Sequence, residues 1–406
     1  MASDEIGDAA SPGSTVACPT QADDDFVHVL ASAQAAARGT MMSLLVSRIG
    51  KVRSVTAGPA RAVVLAAALT FSPFVQAEPI RGAGSTFAAP VIAKWAKAYQ
   101  DERADGGEFV SPDWTVDYEL VGSLGGVMRL QQPELDFAAT DVPVTPAELA
   151  KHGRQQFPIV MGGVAIVANL DGLSAQPAGA LRLSGPVLAD IYLGKIQSWS
   201  DPAIKAINPD LDLPDLRIMV LHRRDGSGTT FVFTEYLSAA SAEWKTKYGA
   251  DTLITWPLGT SAKGTRDLIR AVQATKGAIA YAEYGQVERA GLPFASIRNK
   301  SDKFVTPTPE GVQAAVKAIA WAKTEDFFAS LIDQPGEGAY PISTATFAVV
   351  PIAGRPEARY RRVHDLFRLA FEKGAGDATA LGYVPLPQPL AEQVKQYWDR
   401  EPHAGN

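Results

Sequence analysis

The sequence predicts an α/β protein, and three observations carry that prediction. Apolar runs of strand length alternate with helical stripes, one of those runs is apolar on both faces, and a turn rich in Gly, Ser and Thr stands between a strand and a helix three times. The chain has 406 residues, 46% of them hydrophobic and 20% charged, an ordinary balance for a globular protein with a large core. A net charge of −6 and the lack of any long basic run argue against nucleic acid as a partner. The single cysteine, Cys18, has no internal partner, and the five histidines fall in no metal-binding spacing, so neither a metal nor a cofactor is expected.

From the start of the chain, residues 1–40 are dominated by Ser, Asp, Ala and Gly and read as an upstream extension with no part in the fold. Residues 41–77 read as a secretory signal peptide. Arg48, Lys51, Arg53 and Arg61 precede the uncharged stretch 62–77, which Ser72 and Pro73 interrupt and which closes on Val75-Gln76-Ala77. Its strongly apolar part is about ten residues, short of the roughly 20 that span a bilayer. Cleavage near Ala77 would release a soluble product, and Met41 or Met42 would give the peptide a normal length.

The first turn is Gly82-Ala-Gly-Ser-Thr-Phe87. It leads into a helix that carries Val91, Trp95 and Tyr99 on one stripe, with Lys94 and Lys97 off it and Pro90 in the first turn. An alternating strand over 116–121 then precedes the second turn, Gly122-Ser-Leu-Gly-Gly-Val127. Residues 160–168 are nearly all apolar, as in a strand covered on both faces. The run 216–221 precedes the third turn, Arg223-Arg-Asp-Gly-Ser-Gly-Thr-Thr230, and a helix over 231–237. Segments 176–178, 208–215 and 300–309 carry enough Pro, Asp and Ser to read as loops. Small residues let the backbone approach a ligand, and the first N–H groups of a helix have no helical acceptor. Three such turns at the carboxyl ends of strands suit an anion. None matches GxxxxGK[ST], and the first does not continue as GxGxxG, so nucleotide chemistry is not indicated.

Several stretches resemble the phosphate-binding proteins that feed the phosphate-specific ABC importer of bacteria: GAGSTFAAPVIAKWAKAYQ (82–100), GSLGGV (122–127), DFAATDVP (136–143), FPIVMGGVAIVANLDGL (157–173), LADIYLGKIQSWSDPAI (188–204), RRDGSGTTFVFTEYL (223–237) and GAIAYAEY (277–284). The resemblance implies a two-lobed periplasmic binding protein of type II, each lobe a mixed sheet flanked by helices, joined by a hinge. It places lobe 1 in 78–158 plus 340–406 and lobe 2 in 159–339. It further implies a monomer in the periplasm that delivers inorganic phosphate, as hydrogenphosphate or dihydrogenphosphate, to the membrane permease subunits of an ABC importer, with no enzymatic activity.

The same motifs carry the binding site across. Thr86 (hydroxyl) and Phe87 (N–H) match the first contact loop, Ser123 the second, and Ser227, Gly228 and Thr229 the helix start of the third. Arg223 matches the arginine that pairs with phosphate, held by Asp225, and Asp141 the carboxylate that accepts a hydrogen bond from the ligand. Leu124 departs from the pattern, where a second serine is common, and so does the charged Arg224 beside Arg223. A carboxylate only accepts hydrogen bonds, so Asp141 would select a protonated oxyanion over sulfate. His222 and the tryptophans Trp95, Trp199, Trp244 and Trp256 are expected to pack. Two other readings stand beside this one. The same module could bind arsenate, sulfate or molybdate, or a secreted phosphatase could use Ser123, Ser227 or Thr229 as nucleophile, which would need an activating base or metal.

Overall fold

A computed structural model describes residues 79–104 and 115–399, and these fall within one compact unit of Gln76–Asn406. The expected extension 1–40 and signal peptide 41–77 lie outside the described residues. Among the described residues no helix is long and apolar enough to cross a membrane.

Eleven strands are described: β1 (Ile80–Gly84), β2 (Val116–Leu120), β3 (Phe137–Thr140), β4 (Arg154–Ala168), β5 (Gly179–Leu183), β6 (Met219–Arg223), β7 (Thr260–Ala262), β8 (Ala278–Glu283), β9 (Ala295–Arg298), β10 (Phe304–Val305) and β11 (Ser343–Pro351). Eight of them form one mixed sheet in the order β2-β1-β3-β11-β4-β8-β6-β7, and β10-β9-β5 form a small second sheet. The fold is α/β as the alternation predicts, and the run 160–168 lies in β4, where every residue after Arg154 is buried.

β4 explains why the large sheet is continuous. Its 15 residues exceed the usual strand, and it changes partner along its length. From Arg154 to Gly163 it pairs antiparallel with β11, and from Val164 to Ala168 it pairs antiparallel with β8. On one side of that change β1, β2 and β3 run parallel; on the other β6 runs parallel to β7 and β8. The register of β4 and β11 slips between Thr346 and Phe347, where Pro158, which has no N–H to donate, faces Phe347.

The helices follow the expected starts. Ala89–Ala104 buries Val91, Trp95 and Tyr99 and leaves Lys94 and Lys97 exposed. Gly122–Arg129 begins directly on the second turn, and Gly228–Ala240 begins inside the third. The loop expected over 300–309 contains the two-residue strand β10. Trp95, Trp199 and Trp244 are buried, and Trp256 packs among Tyr192, Trp244 and Tyr281. The segment after β11 returns to the first half of the sheet, where Phe367 of helix Glu357–Glu372 meets Phe137 and Phe157 edge-on.

Candidate functional site

The carboxyl ends of β1, β2, β3 and β6 meet where the two halves of the sheet face each other, and this brings the expected residues together. Asp141 follows β3 and is 2% exposed. The Ser85 hydroxyl donates to its carboxylate, 2.7 Å from Oδ1 and 2.9 Å from Oδ2, and Thr346 Oγ1 donates to Oδ1 at 2.8 Å. Ser123 Oγ accepts from the Asp141 N–H at 3.2 Å and lies 3.5 Å from Oδ2. Burial pushes the Asp141 carboxyl up to about 6; the bonds from Ser85 and Thr346, the charge of Arg223 and the Ser123 hydroxyl pull it only part of the way back.

Two glycines permit this closeness. A Cβ on Gly228, the first residue of its helix, would fall 2.3 Å from Ser123 Oγ and 2.7 Å from Asp141 Oδ2. Gly122 has φ of +78°, and a Cβ there would meet the Gly226 carbonyl oxygen at 2.5 Å. On the same flank the Leu124 N–H donates to Gly226 O at 3.2 Å. Leu124 therefore packs its side chain against Gly226 where a serine would have offered a hydroxyl.

Arg223 and Arg224 separate cleanly. Arg223, the last residue of β6, is 3% exposed, whereas Arg224, just after the strand ends, is exposed. Arg223 Nε donates to Asp225 Oδ1 at 2.7 Å, and its Nη2 to Oδ2. Burial alone would raise the Asp225 carboxyl; the Arg223 bonds and charge and the Gly264 N–H at 3.0 Å outweigh it and hold Asp225 below its usual range. Arg223 Nη1 donates to Thr265 Oγ1 at 3.2 Å, and Thr265 Oγ1 lies 2.9 Å from Thr86 Oγ1. Either hydroxyl of this pair can donate to the other, so Arg223, Thr265 and Thr86 form one hydrogen-bonded chain at this end of the site.

The remaining residues sit at helix starts. Ser227 caps its helix by accepting from the Thr230 N–H at 3.2 Å, and Thr229 is 2% exposed in the first turn. The Phe87 N–H, expected to face a ligand, donates to Ser85 Oγ at 3.0 Å. The Ser85 hydroxyl thus accepts from an N–H and donates to a carboxylate, the two bonds a protonated oxyanion oxygen would make there. His222 is buried, stacked on Trp256 at 4.8 Å, with Nδ1 3.2 Å from Arg223 O, and burial lowers its pKa.

Sequence reasoning missed Ser85, Thr265 and Thr346. Ser85 lies inside the first turn, and Lys263-Gly264-Thr265 opens helix Gly264–Ala274 as a fourth small-residue turn. Thr344 and Thr346 are hydroxyls at alternate positions of a wholly buried strand, with Thr344 Oγ1 on Asp141 O at 3.3 Å. Among the described residues no group of His, Cys, Asp and Glu is placed to hold a metal. Arg223 is matched by Asp225 and Asp141 adds a further carboxylate, so a bound anion would rely on N–H groups and hydroxyls rather than on excess positive charge.

Residues 31–359 match a family described as a PBP superfamily domain. A phosphate-binding protein PstS from Xylella fastidiosa (strain Temecula1) is 40% identical over 322 residues, covering 79% of this chain and 85% of that protein. Another from Pasteurella multocida (strain Pm70) is 38% identical over 343 residues, covering 84% of this chain and 96% of that protein. The solved structure of a phosphate binding protein from Stenotrophomonas maltophilia shares the fold with a TM-score of 0.57 at 18% identity, covering 79% of this chain and 94% of its own. With its mixed sheet divided at β4 and its site set where the two halves meet, the chain belongs to the PBP superfamily and, within it, to the family of phosphate-binding proteins PstS.

Proposed function

We propose that this chain binds inorganic phosphate outside the inner membrane and delivers it to the permease of an ABC importer. The bridging Ser85 hydroxyl, between the Phe87 N–H and the Asp141 carboxylate, carries the reading. It marks a place where one oxygen must accept from the backbone and donate to a carboxylate. Phosphate near neutral pH keeps at least one O–H and can do both; sulfate has no proton and would leave Asp141 facing lone pairs. A buried acceptor left unpaired costs about 1–3 kcal/mol before repulsion is added. Thr86, Phe87, Ser123, Ser227, Gly228 and Thr229 supply hydroxyl and N–H donors, Arg223 a planar fork held by Asp225, and Asp141 the test for a proton. The named PstS relatives support the same ligand.

Lobe 1 is formed by 78–158 with 340–406 and lobe 2 by 159–339, and they close over the ligand. The mature chain starts after Ala77 and works as a monomeric carrier rather than a catalyst. A hydroxyl nucleophile would need a base, and His222 is stacked on Trp256 and turned to a carbonyl. Calorimetry tests the reading: phosphate should bind in the presence of excess sulfate, and Asp141→Ala should let sulfate compete. Sulfate exclusion that survives Asp141→Ala would remove the carboxylate from this role.

A further inference from the structure

A groove of about 940 Å³ opens beside the site, and its floor includes Thr86 and Thr265, the two hydroxyls that lie 2.9 Å apart next to Arg223. On other sides of the site the Leu124 N–H bonds Gly226 O, and Thr346 of β11 bonds Asp141. Lys263, Arg266, Arg270 and Arg289 line the groove with one carboxylate among them, Asp267. Arg266 and Arg270 are open to solvent, with side chains 81% and 68% exposed, and Asp267 Oδ1 lies 3.8 and 4.0 Å from them. Across the groove β2 presents Tyr118 and Leu120; the strand alternation turns Asp117 and Glu119 to its other face, where Glu119 pairs with Arg129.

This arrangement answers a difficulty in the charge. The chain is net negative with or without residues 1–77, which repels a phosphate dianion at long range. Within a Debye length of about 8 Å at physiological salt, only the local charges are felt. We propose that the anion reaches its site through this groove when the hydrogen bond between Thr86 and Thr265 opens, and that Lys263, Arg266 and Arg270 draw it in against the net charge of the protein. The inference rests on the anion-binding reading above and adds the route and the residues that set the rate of capture. Such residues act on the encounter and not on the bound state, so they alter kon and leave koff alone.

The test combines calorimetric affinity with release of radiolabelled inorganic phosphate in a chase, which together give kon. In Arg266→Gln/Arg270→Gln, kon should fall about 10-fold at ~20 mM salt and by less than about 2-fold at ~0.5 M, with koff unchanged. Asp267→Asn should raise kon under the same low salt. The control pair Lys97→Gln/Arg361→Gln, at sites with side chains 73% and 70% exposed on other helices, should leave kon as it was. An unchanged kon in the groove variant, a loss found in koff, or an equal loss in the control overturns the route while the phosphate reading stands. A wild-type chain that binds no phosphate overturns both.

Discussion

The burial of the Asp141 carboxyl comes at the expense of the fold's stability. Its pKa rises from 3.8 to about 6 on folding, so the folded state holds that proton more tightly than the unfolded chain does. Below pH ~3.8 both states are protonated and no penalty exists. As pH climbs from there to ~6 the unfolded chain ionises first, and above ~6 the folded protein carries the full cost, about 3 kcal/mol. Asp141→Asn, freed of phosphate, should therefore be more stable than wild type at pH 8 by up to about 3 kcal/mol and no more stable at pH ~3.5. Urea denaturation at the two pH values checks this, and equal gains at both would remove ionisation as the cause. The carboxylate and Arg223 are legible in the sequence because each sits in a short motif at a strand end. Ser85 is not: the chain shows Ser85 and Thr86 side by side, and only the backbone turn decides which hydroxyl points at Asp141. Thr346 is hidden further, since it reaches Asp141 across 205 positions through the pairing of β11 with β3.

At the scale of elements, the three small-residue turns are helix starts, and their spacing in the sequence said so; their convergence needs the sheet. Gly228 shows what convergence demands. It is not among the glycines with positive φ, so alanine could adopt its backbone, and its helix is already capped by Ser227. The cost of a Cβ is its approach to Ser123 Oγ and to Asp141 Oδ2 and Cβ. Gly228→Ala should therefore lower the melting temperature of the unliganded protein, through an overpacking strain of about 1–3 kcal/mol, and also weaken phosphate about 10- to 100-fold. Calorimetry beside a thermal melt separates the two effects; a variant that binds as tightly as wild type would mean that the cleft need not close this far. The same reasoning explains why the helix starts were legible and the partner change in β4 was not. A run apolar on both faces announces burial, but nothing in it says that Arg154–Gly163 faces β11 and Val164–Ala168 faces β8.

At the scale of the molecule, the first half of the sheet is completed by the end of the chain. Asp136 stands just before β3 with its side chain 2% exposed, and helix Glu357–Glu372 brings two arginines to it: Arg359 at 2.8 Å and Arg362 at 3.6 Å from Oδ1. Oδ2 accepts from the Arg81 N–H of β1 at 2.9 Å. One carboxylate therefore ties β1, the entry to β3 and a helix more than 220 residues later, and Trp95 Nε1 adds a bond to Gly374 O at 3.0 Å. Removing one partner of a buried ion pair leaves the others desolvated without compensation and costs about 3–5 kcal/mol. Asp136→Ala should lower the stability of the protein by that amount. Yet Asp136 lies at the amino end of β3 and Asp141 at its carboxyl end, with four strand residues between them, Phe137–Thr140. The folded fraction should consequently bind phosphate as wild type does. Urea midpoints should shift while calorimetric affinity at low temperature holds. A fall in affinity with stability unchanged would mean that the ion pair shapes the site itself, and that the two ends of this strand are not independent.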